Sequence, residues 1–242
     1  MIKVMVNGAK GRMGAEAANA INNDPALSLV ATIDRADDLA ASIAAFKPDV
    51  VVDFTVASAG FENTQTIINA GARPVIGTSG FLQDQVEALA RLAKEQGLGG
   101  LIAPNFSLGA VLMMKFAAEA ARFLPDVEIV EAHSPQKEES PSGTALRTAE
   151  LIHANRVHSP LLRGKELLEG ARGAELHDIP LHSLRLPGMV AHQWVMFGGQ
   201  NETLKIEHNS QHRDSFMPGV LLACKKVMEH EELVYGLEHF LE

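Results

Sequence analysis

The sequence predicts an α/β protein in two parts, a parallel β-sheet flanked by helices followed by a mixed, strand-rich part that ends in a helix. Three observations carry this expectation. Short apolar runs alternate with amphipathic stretches as far as residue 105. A glycine-rich turn joins the first apolar run to the first amphipathic stretch. Beyond residue 105 the alternation gives way to strand-like segments separated by turns.

The apolar runs Ile2–Val6, Leu27–Ile33, Val50–Phe54, Pro74–Ile76 and Leu101–Ala103 read as strands. Between them, Gly14–Asn22, Phe61–Ala70 and Gln83–Gln96 carry apolar residues at helical spacing, as helices with one buried face do. Strands alternating with helices are βαβ units, and right-handed crossovers put the helices on both faces of a parallel sheet. Further on, Glu128–Ala132 reads as a strand and Thr144–Ala154 as a helix capped by Ser142 or Thr144. The charged, Gly-containing stretch Arg156–Gly173 reads as a mobile surface loop. Ile179–Leu184, His192–Phe197 and Leu204–His208 read as strands. The last two form a hairpin across Gly198-Gly199-Gln200-Asn201, where Gly and Asn supply the positive φ of a tight turn. Asp214–Met228 is a closing helix with Pro218 tolerated in its first turn.

The chain has 242 residues, 46% hydrophobic and 21% charged, enough to bury one large core or two small ones. A net charge of -9 argues against a surface built for nucleic acid, although an acidic protein can hold a local basic pocket for an anion. Cys224 is the only cysteine, so no intrachain disulfide forms, and its neighbours Val220–Ala223 mark it as a small buried hydrophobe. The chain runs straight into its first strand with no signal-peptide pattern. No apolar run approaches the ~18 residues of a membrane span. These features predict a soluble, cytoplasmic protein without membrane or nucleic-acid partners.

Gly8-Ala9-Lys10-Gly11-Arg12-Met13-Gly14 lies where the first strand turns into the first helix. In a dinucleotide-binding turn the first glycine makes the bend. The second lets backbone amides approach a pyrophosphate, and the third lets helix and strand pack closely. The helix N-terminus adds open N–H groups and a positive dipole end. Asp34 ends the second strand about twenty residues further on, where an acid bonds the adenosine ribose. Arg35, with Lys10 and Arg12, suits a 2′-phosphate, so both NADH and NADPH fit. Turns at Asp53-Phe54-Thr55, Gly77-Thr78-Ser79-Gly80 and Ala103-Pro104-Asn105-Phe106 share the carboxyl end of the sheet, where a ligand crosses an open α/β fold.

The second part carries Glu131-Ala132-His133-Ser134-Pro135-Gln136-Lys137, followed by Pro141-Ser142-Gly143-Thr144. Histidine moves protons near neutral pH. Lys137 supplies a fixed positive charge, and a turn into a helix offers amides and hydroxyls to a carboxylate. Together they suit a dicarboxylate that accepts hydride and needs a proton. Arg185, Gly188 and His192 flank a strand and either complete this pocket or stand as surface residues. His208 and His212 have no Cys or carboxylate cluster beside them, so no metal site is expected.

On these blocks, and on Val6-Asn7, Val52–Thr55, Ile76–Phe81, Ala103–Ser107 and Lys137–Ala145, the chain resembles the 4-hydroxy-tetrahydrodipicolinate (dihydrodipicolinate) reductase family along essentially its whole length. The resemblance implies a Rossmann-like dinucleotide-binding domain, residues 1–105 with 215–242. A mixed α/β domain for substrate binding and oligomerisation, residues 106–214, completes the chain. It also implies hinges between the two domains, a homotetramer formed through the second-domain sheets, and a role in lysine and diaminopimelate biosynthesis. His133 matches the catalytic acid/base, Lys137 the catalytic lysine, and Gly143 and Thr144 the substrate-carboxylate contacts. Gly8, Ala9, Lys10, Gly11, Arg12, Met13, Asp34, Arg35, Gly77, Thr78, Ser79, Ala103, Pro104, Asn105 and Phe106 match the cofactor contacts. Ser134 replaces the second of two adjacent histidines in the family pattern, keeping a hydrogen-bond donor for substrate but no charge. A related NAD(P)-dependent amino-acid dehydrogenase is the rival within enzymes, opposed by the Lys137–Ala145 block. A non-catalytic NAD-sensing module is the rival outside them, and it would need neither His133 nor Lys137.

Overall fold

In the computed structural model, which describes residues 1–78, 80–157 and 164–241, the chain divides into two compact units. One is Met1–Leu108 with Phe216–Glu242, the other Gly109–Ser215.

The first unit is built on β1 (Ile2–Asn7), α1 (Arg12–Asn23), β2 (Leu27–Ile33), α2 (Leu39–Phe46), β3 (Val50–Asp53), α3 (Ala57–Asn69), β4 (Arg73–Ile76), α4 (Gln83–Glu95) and β5 (Gly100–Ile102). Helix α5 (Leu108–Ala120), strand β6 (Asp126–His133), helix α6 (Gly143–Asn155) and strands β7 (Ala174–Leu176), β8 (Ile179–Arg185), β9 (Ala191–Gly199) and β10 (Glu202–Ser210) follow. The chain then returns to the first unit through α7 (Met217–Lys226) and β11 (Leu233–Tyr235).

The first sheet has the order β11-β5-β4-β3-β1-β2, with all neighbours parallel. Its strands are short, continuous apolar runs because both faces are covered. Met5, Val51, Ile76 and Ile102 meet Ile43, Ile67, Ile68, Leu89 and Ala93 of α2, α3 and α4 on one face. Val4, Val6, Val52 and Val75 point to the other, where α7 packs on α1 and the sheet. Cys224 of α7 is fully buried, and that burial pushes its thiol up to about 12. Strand order reverses between β1 and β3, the switch point at which open α/β sheets bind ligands.

The second unit holds a mixed sheet of order β10-β9-β6-β8-β7, in which β6 and β8 alone run parallel. Helix α6 covers one face, burying Ala145, Ala149 and Ile152 with Val127, Ile129, Leu181, Val195 and Phe197. Alternation along the strands sends Leu184 and Met196 to the opposite face, where they are 40% and 41% exposed.

Several elements depart from the expectations of the sequence. Helices α2 and α5 were not anticipated, nor were strands β7 and β11. The expected helix Asp214–Met228 is a ten-residue α-helix with 3₁₀ turns at both ends. In the β9–β10 hairpin Asn201 takes positive φ, at 63°, while Gly198 and Gly199 belong to the strand itself. The stretch expected as a mobile loop lies partly outside the described residues; its described parts, 156–157 and 164–173, hold neither helix nor strand, with bends and turns over 167–172. Among the described residues no helix is long and apolar enough to cross a membrane.

Candidate active site

The glycine turn is held from both sides. Gly8 takes φ +79°, and a side-chain carbon there would come within 2.7 Å of the Phe54 carbonyl. The same addition at Gly14 would strike the Gly8 backbone, so α1 packs on the turn only because Gly14 is bare. Gly8 and Ala9 donate to the Ile33 carbonyl at 3.0 and 3.1 Å. The N-cap of α1 is Gly11, and no side chain caps the helix, which leaves its first-turn amides open to an anion.

Asp34 stands at the end of β2, as expected, but its carboxylate also holds the turn. It accepts from the Lys10 amide through Oδ2 and the Arg35 amide through Oδ1, both at 2.8 Å. Hydrogen bonds from the Arg35 and Lys10 amides keep its carboxyl below the ordinary value. A carboxylate has about four acceptor positions, so two stay available to ribose hydroxyls. Lys10, Arg12 and Arg35 are exposed. The glycine turn, the uncapped helix start and this acid fit a dinucleotide.

The strand ends converge on Asp53, which is fully buried. Its Oδ2 accepts from Asn7 Nδ2 at 2.8 Å and Asn63 Nδ2 at 2.9 Å. Its Oδ1 accepts from the Thr55 amide at 3.0 Å, the Thr55 hydroxyl at 2.7 Å and the Thr78 hydroxyl at 2.8 Å. One side chain thus ties together the carboxyl ends of β1, β3 and β4. Gly77 is where Phe54 packs, and the Phe54 ring meets Phe106 edge-on at 5.7 Å. Ala103 and Phe106 are buried, Pro104 is half-buried, and half-buried Asn105 accepts from the Ser107 amide at 2.8 Å. Ser79 lies outside the described residues.

In the second unit, His133 ends β6 with its Nδ1 2.5 Å from Glu131 Oε2. Glu131 is 1% exposed, and both its oxygens accept from Arg185 Nη1, at 2.9 and 3.0 Å. Burial pushes the Glu131 carboxyl up, but hydrogen bonds from His133, Ser183 and Arg185 outweigh it and leave the group at about 2. A turn follows in which the Lys137 amide donates to the Ser134 carbonyl at 3.1 Å. Lys137 Nζ lies 3.3 Å from exposed Glu139. Ser142 caps α6 by accepting from the Ala145 amide at 3.2 Å. Gly143 opens the helix facing empty space, since a side-chain carbon there would meet no atom within 4 Å. Gln193 donates to the Thr148 hydroxyl, which donates to the Thr144 carbonyl, both at 2.7 Å, and so binds the start of α6 to β9. The unit therefore presents an oriented imidazole, a lysine and an open helix start, which together suit proton transfer to an anionic substrate.

Family models of the two halves of one enzyme match nearly end to end: "Dihydrodipicolinate reductase, N-terminus" over residues 2–106 and "Dihydrodipicolinate reductase, C-terminus" over residues 109–241. The chain belongs to the dihydrodipicolinate reductase family. It is 52% identical over 240 residues to a 4-hydroxy-tetrahydrodipicolinate reductase of Legionella pneumophila strain Lens, covering 99% of both chains. It is 48% identical over 253 residues to the Streptococcus mutans protein of that name, again with 99% of each covered. A dipicolinate-bound dihydrodipicolinate reductase from Paenisporosarcina sp. TG-14 superposes with a TM-score of 0.89 at 42% identity over 99% of both chains. An apo scyllo-inositol dehydrogenase from Lactobacillus casei, at TM-score 0.68 and 12% identity, shares the fold.

Within this reductase framework the structure gives Glu131, Arg185 and Asp53 places that the sequence alone does not show. Glu131 was visible beside His133, but nothing in its spacing revealed an ion pair. Arg185 stood as either pocket or surface, and its place comes from the β6–β8 register, which sets it opposite His133. Asp53 was visible as a strand end only. Among the described residues no group of three or more His, Cys, Asp or Glu is arranged to hold a metal ion.

Proposed function

We propose that this chain reduces 4-hydroxy-tetrahydrodipicolinate to tetrahydrodipicolinate with NADH or NADPH, in lysine and diaminopimelate biosynthesis. Its membership of the reductase family over nearly its whole length carries the reading. In the first unit, the α1 amides and the Gly8–Met13 turn hold the pyrophosphate, and Asp34 takes the ribose hydroxyls. Lys10, Arg12 and Arg35 accommodate a 2′-phosphate where one is present. Gly77, Thr78 and Ala103–Phe106 border the nicotinamide end.

When bound, the reduced nicotinamide supplies a hydride to C4 of the ring once the 4-hydroxyl has left as water. In the second unit, the Gly143 and Thr144 amides at the helix start hold a substrate carboxylate. Lys137 binds and polarises the substrate, and Ser134 donates a hydrogen bond to it. His133, held through Nδ1, turns Nε2 outward and protonates the enamine carbon left after reduction.

The same reading makes the enzyme a cytoplasmic homotetramer, joined through the uncovered face of the second sheet on which Leu184 and Met196 lie. Sedimentation at assay concentration reads that assembly directly. The reaction is tested by mixing freshly made substrate with NADH or NADPH and following loss of reduced-nicotinamide absorbance. His133→Gln should lower kcat at least a hundredfold, within the usual contribution of acid–base catalysis, with cofactor affinity nearly intact. Asp34→Ala should instead weaken NADH binding. A folded wild type that binds cofactor and turns over with neither form refutes the assignment.

A further inference from the structure

A proton donor at a strand end and a lysine on the turn that follows it work together only at a fixed separation, and one side chain outside the pair reaches both of their supports. Arg185 is the last residue of β8, paired in parallel register with His133. Its Nη1 spans both oxygens of Glu131 and also donates to the Leu184 carbonyl at 2.7 Å. Its Nη2 donates to the Glu139 carbonyl at 2.6 Å, and its Nε to the Lys137 carbonyl at 3.3 Å. One planar guanidinium therefore bonds the carboxylate that orients His133 and the backbone of the turn that carries Lys137. Its donors are fixed in a rigid fork, so the directions of these acceptors are fixed with it.

We infer that Arg185 is the positioning residue that sets His133 against Lys137, acting through Glu131 on one side and the Lys137 and Glu139 carbonyls on the other. The inference rests on the reading in which these two side chains do the chemistry. Lysine cannot replace the arginine here. An ammonium is a compact charge with three donors on a flexible stem, and it cannot bridge acceptors on two sides at once. Glu131 is 1% exposed, so losing its permanent cationic partner also strands a buried carboxylate beside the imidazole. Misplacing a reacting group by about 1 Å costs on the order of a hundredfold in rate.

The test compares Arg185→Ala and Arg185→Lys with wild type for kcat, substrate KM, NADH affinity and melting temperature. Arg185→Ala should lose about a hundredfold in kcat with NADH affinity within twofold. Arg185→Lys should recover less than tenfold of that loss. Ethylguanidinium added to Arg185→Ala should restore at least tenfold, while ethylammonium at the same concentration should not. Nitrogen-15 spectra add a readout independent of turnover, with the His133 ring assigned by its loss in His133→Gln. Neutral His133 should carry its proton on Nδ1 in the wild type and become a mixture of tautomers in Arg185→Ala. A kcat for Arg185→Ala within threefold of wild type, or a loss that ethylammonium repairs as well as ethylguanidinium, overturns the inference. If Arg185→Ala fails to fold, a folded Arg185→Lys with kcat within threefold of wild type and an unaltered His133 ring overturns it equally. Absence of wild-type turnover refutes the proposed reaction instead, and the ring spectra still decide the clamp.

Discussion

Replacing Gly143 with alanine separates the demands of folding from those of binding. Gly143 is the first residue of α6, and a methyl group there meets no atom within 4 Å. Alanine is a better helix former than glycine by up to about 1 kcal/mol, so folding alone favours the variant or is indifferent to it. The proposed substrate carboxylate occupies that empty space, on the amides of the helix start. A methyl group would push it away and break at least one hydrogen bond to a charged group, worth about 1.5–3 kcal/mol. Substrate KM should therefore rise roughly ten- to 150-fold. The melting temperature should stay within a degree or two of wild type or rise. Steady-state kinetics and a thermal melt measure the two quantities. An unchanged KM would refute the placement of the carboxylate. A large fall in melting temperature would refute the claim that the site is open.

Three further outcomes follow from the same geometry. Ser134→His, which restores the histidine pair of the family pattern, should lower substrate KM by an amount equivalent to about 1–3 kcal/mol; an unchanged KM would leave Ser134 without a binding role. Glu131 falls from 4.5 unfolded to about 2 folded, so its contribution is complete above 4.5 and is lost as pH falls through 2. Wild type should accordingly lose about 3 kcal/mol more than Glu131→Gln between pH 5 and pH 2, read by urea unfolding at each pH; parallel losses would sink this account. Asp53→Ala strips the acceptor from Asn7 and Thr78, only 6% and 5% exposed, and should cost roughly 2–6 kcal/mol in stability; a cost below about 1 kcal/mol would show that these donors find other partners.

Sequence periodicity recovered elements in proportion to how far their residues differ from face to face. Strand β2 was read at its observed bounds, and α4 within a residue, because their apolar positions stand out from polar neighbours. Helix α2 reads Leu-Ala-Ala-Ser-Ile-Ala-Ala-Phe, apolar nearly all round, so no stripe marks it. The same holds for α5, rich in Met, Ala and Leu. Strand β11 is three residues long and owes its existence to pairing with β5, far away in sequence. The glycine turn was legible because local backbone geometry demands those glycines. The Arg185–Glu131 clamp was not legible, since its partners lie 54 residues apart and meet only through the β6–β8 register. Asp53 likewise gathers donors from Asn7, Asn63 and Thr78, whose convergence is a property of the folded sheet.

The most direct test of the central claim follows one hydrogen atom. Reduced cofactor carrying deuterium at the transferring position of its nicotinamide is mixed with the protein and fresh 4-hydroxy-tetrahydrodipicolinate, and the product is read by NMR. The expected product is tetrahydrodipicolinate with one deuterium at C4. Product without deuterium at C4, or no product from a folded, cofactor-binding protein, would contradict it.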